Sequence, residues 1–561
     1  MKTNPSRPIL VVVAVLAACW AAFHFSSPTP SGAFDVSVLR AIPIQSQGRV
    51  KPLDTFARET VYTITGTERF EGHNPLVLLL TWMGDPKGTE RADVLDCSRL
   101  DVKKALGIAS TVRHTSIDVL AANSRYAAAA SDIARKSQNG EELSSLEKQE
   151  ALLIERVGLL QDVCSGEAWT IVPDPTHLTG AWVSLARLSR GNSPVSPALA
   201  RPITNDFAAV IQAVEKNDGA SFLDHSRALA TDLSKVATVA SPVLIARELD
   251  YNDLAPFEKA WWLYLAALLV LVAANALNNR ILYWCGYAFA CGGLIIHVYG
   301  FYLRCTIAGR PPVTNMYESV VWVSFGAMFF ALVMEAVFQS RTILMAACTV
   351  STICLILADN TASVLDPAIN PLTPVLRNNF WLTIHVLTIT LSYAAFLLST
   401  AIGHASLWGY AFHPEDRERQ RTLHGQLYKS VQIGVMLLAA GTILGGVWAN
   451  YSWGRFWGWD PKEVWALIAL LGYLAVLHGR YAGWLRDFGL AAGVVIAYMG
   501  VLMAWYGVNF VLGAGMHSYG FGQGGQQYVA TAVALDVVFV ALMTARYKAW
   551  CRRRSSPASA S

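Results

Sequence analysis

Nine long apolar runs follow one another through the second half of the chain, at roughly 259–277, 281–303, 315–338, 342–358, 380–410, 429–449, 463–479, 488–508 and 526–545. A helix needs about 20 apolar residues to cross a hydrocarbon core of about 30 Å. Lipid offers no hydrogen-bonding partner to the backbone, so runs of this length predict membrane-spanning helices. A tenth run, Ile9 to Phe25, lies near the N-terminus. Residues 31–256 read instead as ordinary soluble protein. Only 15% of the 561 residues are charged and mean hydropathy is +0.36, whereas soluble proteins carry about 25% charged residues. A wholly soluble chain, a disordered chain and a disulfide-dense secreted scaffold are thereby excluded. The expected fold is an all-α polytopic membrane protein of about ten transmembrane helices, with one mainly helical extracytoplasmic domain after the first span.

Lys and Arg in short loops set orientation. With the N-terminus inside, the inner segments outnumber the short outer loops in these residues by about three to one. Arg280, Arg341, Arg417, Arg480 and Arg546 mark the inner side, Arg304, Arg310 and Arg455 the outer. Both termini are expected in the cytoplasm and residues 28–258 outside. Leu16-Ala17-Ala18-Cys19 also resembles a lipoprotein cleavage box, a rival to an uncleaved anchor. Either way the soluble region ends up outside. The net charge of +4 reflects where Lys and Arg sit and gives no reason to invoke nucleic acid.

Within the soluble region, Glu141 to Val163 repeats its apolar residues close to a helical period. Asn205-Asp206 before Phe207 reads as a helix start, and Pro and Gly make 171–203 loop-rich. No internal repeat, phosphate-binding loop, dinucleotide fingerprint or paired metal-ligand motif occurs, so a helical scaffold or docking domain is the plain reading. Cys97 and Cys164 could pair in an oxidising compartment, although sequence does not give their geometry. The chain has nine Cys but no CxxC, which argues against a dithiol oxidoreductase or a c-type cytochrome.

The densest unusual segment runs from Trp448 to Trp465: five Trp, one Tyr and one Phe in 18 residues, interleaved with Gly. Asp460, Pro461 and Glu463 have a structural reading as N-cap, first-turn proline and capping-box partner of the next span. An interfacial belt explains one or two Trp, but not this density. Clustered aromatics with glycines that admit close approach suit a large, flat, mostly apolar ligand. Haem is one such ligand.

His385 lies near the outer end of its span and His517 in the outer loop after the eighth of these runs, on the face that carries the aromatic segment. Neutral imidazole is an axial ligand of haem iron. His297 sits about 10 Å from the outer end of its helix, and His478 about 27 Å beyond Asp460. Their depths differ too much for the two to bind one iron together. His404, His413 and His424 read as solvated residues at the cytoplasmic end.

Trp453-Gly-x-x-Trp457-x-Trp459-Asp460-Pro-Lys-Glu resembles the tryptophan-rich WWD signature of the haem-handling proteins of cytochrome c biogenesis. Gly309-Arg-Pro-Pro-Val-Thr-Asn315-Met-Tyr317-Glu318-Ser, Trp381-x-x-x-His385 and Gly507-Val-Asn509-Phe with Gly515-Met-His517-Ser-Tyr-Gly resemble the CcsA (ResC) branch more narrowly. The resemblance covers about 261–530. Gln47-Gly-Arg49-Val-Lys51-Pro-Leu-Asp54-Thr and Leu249-Asp-Tyr-Asn252 are similar to the segment that precedes CcsA in fused CcsB–CcsA synthases; the CcsB (ResB) half itself is not recognisable.

The resemblance implies that haem b (heme b) is carried across or to the outer face of the membrane. There it is presented for attachment to the CxxCH thiols of apocytochrome c, within a cytochrome c haem lyase or synthase. It implies that His385 and His517 are the outer axial ligands and that His478 is the intramembrane ligand, completed by a CcsB/ResB-like partner. On this reading Trp453, Trp457 and Trp459 contact the macrocycle beside Asp460, and Arg455 or Lys462 meets the propionates. Thiol-reducing proteins and the lipid bilayer are the other expected partners. The expected divisions are a membrane anchor or signal segment (1–27), an extracytoplasmic domain (28–256), a CcsA-like polytopic domain (257–548) and a basic cytoplasmic tail (549–561). Three alternatives stay open: a stand-alone exporter or synthase, a haem-handling protein of the Ccm pathway, and a non-haem transporter or quinone-binding enzyme.

Overall fold

The structure, a computed structural model, describes residues 34–177, 179–236, 240–361, 364–372, 379–513 and 524–555. The apolar run Ile9–Phe25 and His517 lie outside them. The chain divides into two compact units, one spanning Ser27–Asp253 and one dominated by Leu254–Ser561.

The first unit is mainly helical. The helix expected over 141–163 runs from Ser145 to Ser165, because Ser144 and Glu147 form a reciprocal capping box at its start. The start expected at Asn205-Asp206 is displaced: one helix runs from Pro197 to Glu215 straight through those residues. Pro197 occupies its first turn, where a missing N–H costs nothing, so the end of the stretch read as loop is helical. A hairpin unseen in the sequence pairs β1 (Pro43–Ser46) with β2 (Arg49–Pro52). Its two turn residues, Gln47 at φ 51° and Gly48 at φ 78°, supply the left-handed pair that a tight hairpin requires. Trp169 is fully buried between the edges of Phe56 and Phe207, and its indole N–H donates to the Val163 carbonyl at 3.1 Å.

Ion pairs tie the start of this unit to its end. Arg49 donates twice to Glu248, at 2.7 and 2.8 Å, and Arg40 reaches both Asp253 and Asp54. Asn252 donates to Asp54 at 3.0 Å. The QGRVKPLDT and LDYN segments are thus two sides of one polar seam. Cys97 and Cys164 are both free thiols. Burial raises the pKa of each, that of Cys164 to about 11.

The second unit contains, among the described residues, nine helices long and apolar enough to cross a membrane. They are α1 (Pro256–Ala276), α2 (Arg280–Ala308), α3 (Met316–Phe338), α4 (Thr342–Asn360), α5 (Leu387–Phe412), α6 (Arg417–Trp453), α7 (Pro461–Tyr481), α8 (Asp487–Leu502) and α9 (Gln526–Ser555). They correspond one for one to the nine apolar runs, and the protein is a multi-pass, all-α membrane protein. Helix α6, at 37 residues, reaches about 55 Å at 1.5 Å per residue. Its charged Arg417–Arg421 turn therefore extends past the apolar run.

Helix α5 is the hub of this unit, packing on α3, α4, α6, α8 and α9. Small residues allow the close approaches. A Cβ on Gly434 of α6 would stand 2.7 Å from Phe396 Cδ1 of α5. Phe396 in turn stacks on Tyr473 of α7 at 3.8 Å.

Candidate functional site: an aromatic cleft around His385

Five chain segments converge at the end of the bundle that carries the Trp448–Trp465 loop. They are the start of α3, the turn before α5, the end of α6, the start of α7 and the continuation of α8. Between them lies a cleft with about 1070 Å³ of empty space, its open mouth included.

His385 stands in its wall. The turn that carries it, Leu382–Val386, is π-helical rather than α-helical, a widening that is frequent at functional positions. The His385 Nδ1–H donates to the Gly441 carbonyl at 2.8 Å. A carbonyl can only accept, so in the neutral ring Nε2 bears the lone pair; a carbonyl on the other nitrogen is the usual way to orient a ligating imidazole. Trp448 meets the ring edge-on at 5.6 Å and is itself 5% exposed. The contact exists because the facing stripe of α6 is glycine. A Cβ on Gly445 would lie 2.6 Å from His385 Cε1, and one on Gly441 2.9 Å from Ile389 Cα.

The WWD segment is built by ordinary caps. Gly454, at φ 70°, ends α6 by donating to the Asn450 carbonyl at 3.0 Å. Asp460 then starts α7: its carboxylate accepts from the Lys462 N–H at 2.9 Å. The Glu463 carboxylate returns to the N–H groups of Gly458 at 2.8 Å and Asp460 at 3.2 Å. The capping reading of Asp-Pro-Lys-Glu is therefore observed, and Asp460 is 6% exposed, with its carboxylate accepting at this cap.

The aromatics of the segment divide. Trp448 and Trp457 line the cleft. Trp453 is the last residue of α6. Trp459 is 72% exposed and meets Trp457 edge-on at 6.0 Å. Its backbone, at φ 58°, is in the left-handed region, a conformation that bulky residues hold only where the surroundings enforce it. Trp465 faces a second, apolar groove formed with Ile468, Gly500 and Tyr506. Arg455 is exposed and lies over Gly458, and it is Lys462 that lines the cleft.

The histidines separate as well. His478 is exposed on α7, at the end away from the cleft, with Nδ1 donating to the Leu474 carbonyl at 2.7 Å. His297 is fully buried, 3.2 Å from the Tyr264 hydroxyl and packed against Phe257 and Phe301. The solvated reading of His404 is corrected: it lies two turns inside α5, with Nε2 3.0 Å from Asp536 of α9.

Sequence reasoning missed Trp505 and passed over the side chain of Asn509, both in the cleft wall. They lie in the π-helical continuation of α8, Met503–Leu512. It also missed what Glu318 does in the Gly309–Ser319 motif. This carboxylate, 1% exposed, accepts from Arg304 at 2.8 Å, Arg310 at 3.0 Å and the Thr314 N–H at 2.7 Å. The same arginines donate to the carbonyls of Pro367, at 2.9 Å, and Asn370, at 3.2 Å. The knot fixes the start of α3, whose Thr314, Asn315 and Met316 form one side of the cleft.

The second unit is thus a bundle of membrane-spanning helices with a histidine and tryptophans around a cleft at one end. The comparisons with known proteins give the family. The family described as Cytochrome C assembly protein matches residues 313–517. The cytochrome c biogenesis protein CcsA of Prochlorococcus marinus is 34% identical over 39% of this chain and 79% of its own length. That of Synechococcus is 31% identical over 45% of this chain and 94% of its own. Protein NrfI of Wolinella succinogenes is 28% identical over 85% of this chain, which spans about half, 53%, of that protein. The chain belongs to the CcsA family of cytochrome c biogenesis proteins and carries an N-terminal extension to it.

Proposed function

We propose that the cleft around His385 receives haem as a substrate at the outer face of the membrane and presents it for attachment to the CxxCH thiols of apocytochrome c. The observation that carries this is the oriented imidazole: His385 is fixed through Nδ1 to Gly441 and flanked by Trp448 in a wall shared with Trp457 and Trp505. The residues suit a porphyrin in their aromatic lining and in offering an imidazole nitrogen. His517 serves as the second axial ligand. Trp453 and Trp459 contact the macrocycle at the mouth, with Arg455 beside them and Asp460 holding the start of α7.

His478 forms a separate inner site for haem b. Its exposure on α7 supports a second ligand from a CcsB/ResB-like partner. The chain is then a subunit of a cytochrome c synthase in the cytoplasmic membrane, with residues 28–256 and the WWD loop outside and both termini inside. The reaction is mostly positioning: vinyl groups and thiols are held close and correctly oriented, while thiol-reducing proteins keep the apocytochrome competent.

Absorption spectra of the purified chain from haem-replete cells test this. The wild type should show a Soret band with bis-histidine features, and His385→Ala and His517→Ala should each lose the outer-site signal. A His385→Ala variant with an unchanged spectrum would overturn the assignment.

A further inference from the structure

We infer that Lys462 makes the cleft selective for a ligand with a free carboxylate at its edge, and that Asn509 and Trp505 are positioning residues that aim it. The inference rests on reading the cleft as a haem seat, and between the two basic residues left open for the propionates it selects Lys462, the one that lines the cleft.

Among the described residues, two of full charge line the cleft, Lys462 and Glu463. Glu463 directs its carboxylate to the backbone N–H groups of Gly458 and Asp460. Lys462 brings a cation to a largely apolar wall. Its Nζ donates to Asn509 Oδ1 at 3.1 Å. The Asn509 amide is oriented by its other end, since Nδ2 donates to the Trp505 carbonyl at 3.0 Å. That leaves the oxygen facing the lysine. The Trp505 indole is fixed in turn by donating to Ser319 Oγ at 2.8 Å, and Ser319 donates to the Met316 carbonyl at 2.8 Å.

A relay from α3 through the continuation of α8 thus sets the place of an ammonium on the first turn of α7. A lysine on a flexible stem is ordinarily a poorly placed charge; here the relay places it. In a partly desolvated cleft a charge-assisted bond to a carboxylate is about twice as strong as a neutral one. A porphyrin without a free carboxylate would bring nothing to this corner.

The test uses the full chain, purified in detergent from haem-depleted cells and titrated with ferric haem and with its dimethyl ester, in which both propionates are uncharged. The wild type should bind haem about tenfold more tightly than the ester. Lys462→Met should bind both alike, at the affinity of the ester, and Lys462→Arg should keep part of the preference. Asn509→Leu should narrow the ratio severalfold while leaving the Soret maximum unchanged, which a merely structural defect would not do. Equal binding of haem and ester by the wild type would overturn the inference, as would an undiminished ratio in Lys462→Met. Should that variant fail to fold, Lys462→Gln is read the same way. Failure of the wild type to bind either compound is a separate result, and it removes the haem reading itself.

Discussion

The imidazole of His385 is held by a backbone carbonyl 56 residues away, that of Gly441, at 2.8 Å. No side chain intervenes, so the orientation of the ring depends on how closely α6 approaches the turn before α5. That approach depends on the absence of side chains at Gly441 and Gly445.

Gly445→Ala should therefore displace His385 and remove most of the haem signal, because overpacking of this kind costs about 1–3 kcal/mol. Gly425→Ala, on the same helix with nothing within 4 Å of the added methyl, should leave haem unchanged. Soret absorbance per mole of purified protein is the measurement, and equal losses in both variants would contradict the packing account.

Glu318→Gln removes the carboxylate from a buried cluster with two arginines. Breaking a buried pair by deleting one partner costs about 3–5 kcal/mol. The expected outcome is a clear fall in the midpoint of thermal unfolding in detergent. Increased protease cleavage within 364–372 should accompany it, because the arginines that hold those carbonyls lose their counter-charge. An unchanged midpoint would show that the cluster is dispensable.

Asp460→Ala should lower stability by about 1 kcal/mol, the usual value of an N-cap. Asp460→Asn, also a good cap, should behave nearly as the wild type in both stability and haem retention. A large haem loss in Asp460→Asn with normal stability would mean that the charge itself is used by the ligand.

Cys164 bears on pH. Its folded pKa, about 11, lies above the ordinary thiol value because burial disfavours the thiolate. The stabilising contribution is complete below the unfolded pKa. It declines as pH rises through that value toward about 11, since the unfolded chain then releases the proton first. At neutral pH the native thiol should react with maleimide far more slowly than the same thiol in denaturant, and Cys97 should follow the same order. Rapid native labelling of Cys164 would contradict the burial.

The fold of the second unit was legible because lipid enforces it: the nine runs needed only length and hydropathy. The cleft was legible in part. His385, Trp448 and Trp457 could be suspected from density and topology. Trp505 could not, because its contribution depends on a π-helical stretch that shifts it relative to α-helical spacing. The division of the tryptophans was also hidden. Trp457 and Trp465 are neighbours in an aromatic segment, yet a helix cap between them turns them toward different grooves. In the first unit, the start near Asn205 was misread because Asn-Asp is equally compatible with the exposed face of a helix already begun at Pro197.

The π-helical turn Leu382–Val386 has a consequence for how such a site can change. A π turn amounts to one residue inserted into an α-helix, and one residue is about 100° of rotation. Everything C-terminal to it, including the α5 faces packed on α6 and α8, keeps its own register. Deleting a single residue within the turn would swing His385 around the helix axis and off its seat against Gly441 and Gly445, while leaving the register of α5 beyond the turn unchanged. The imidazole's direction and the packing of the span that follows it are thus set by separate stretches of one helix.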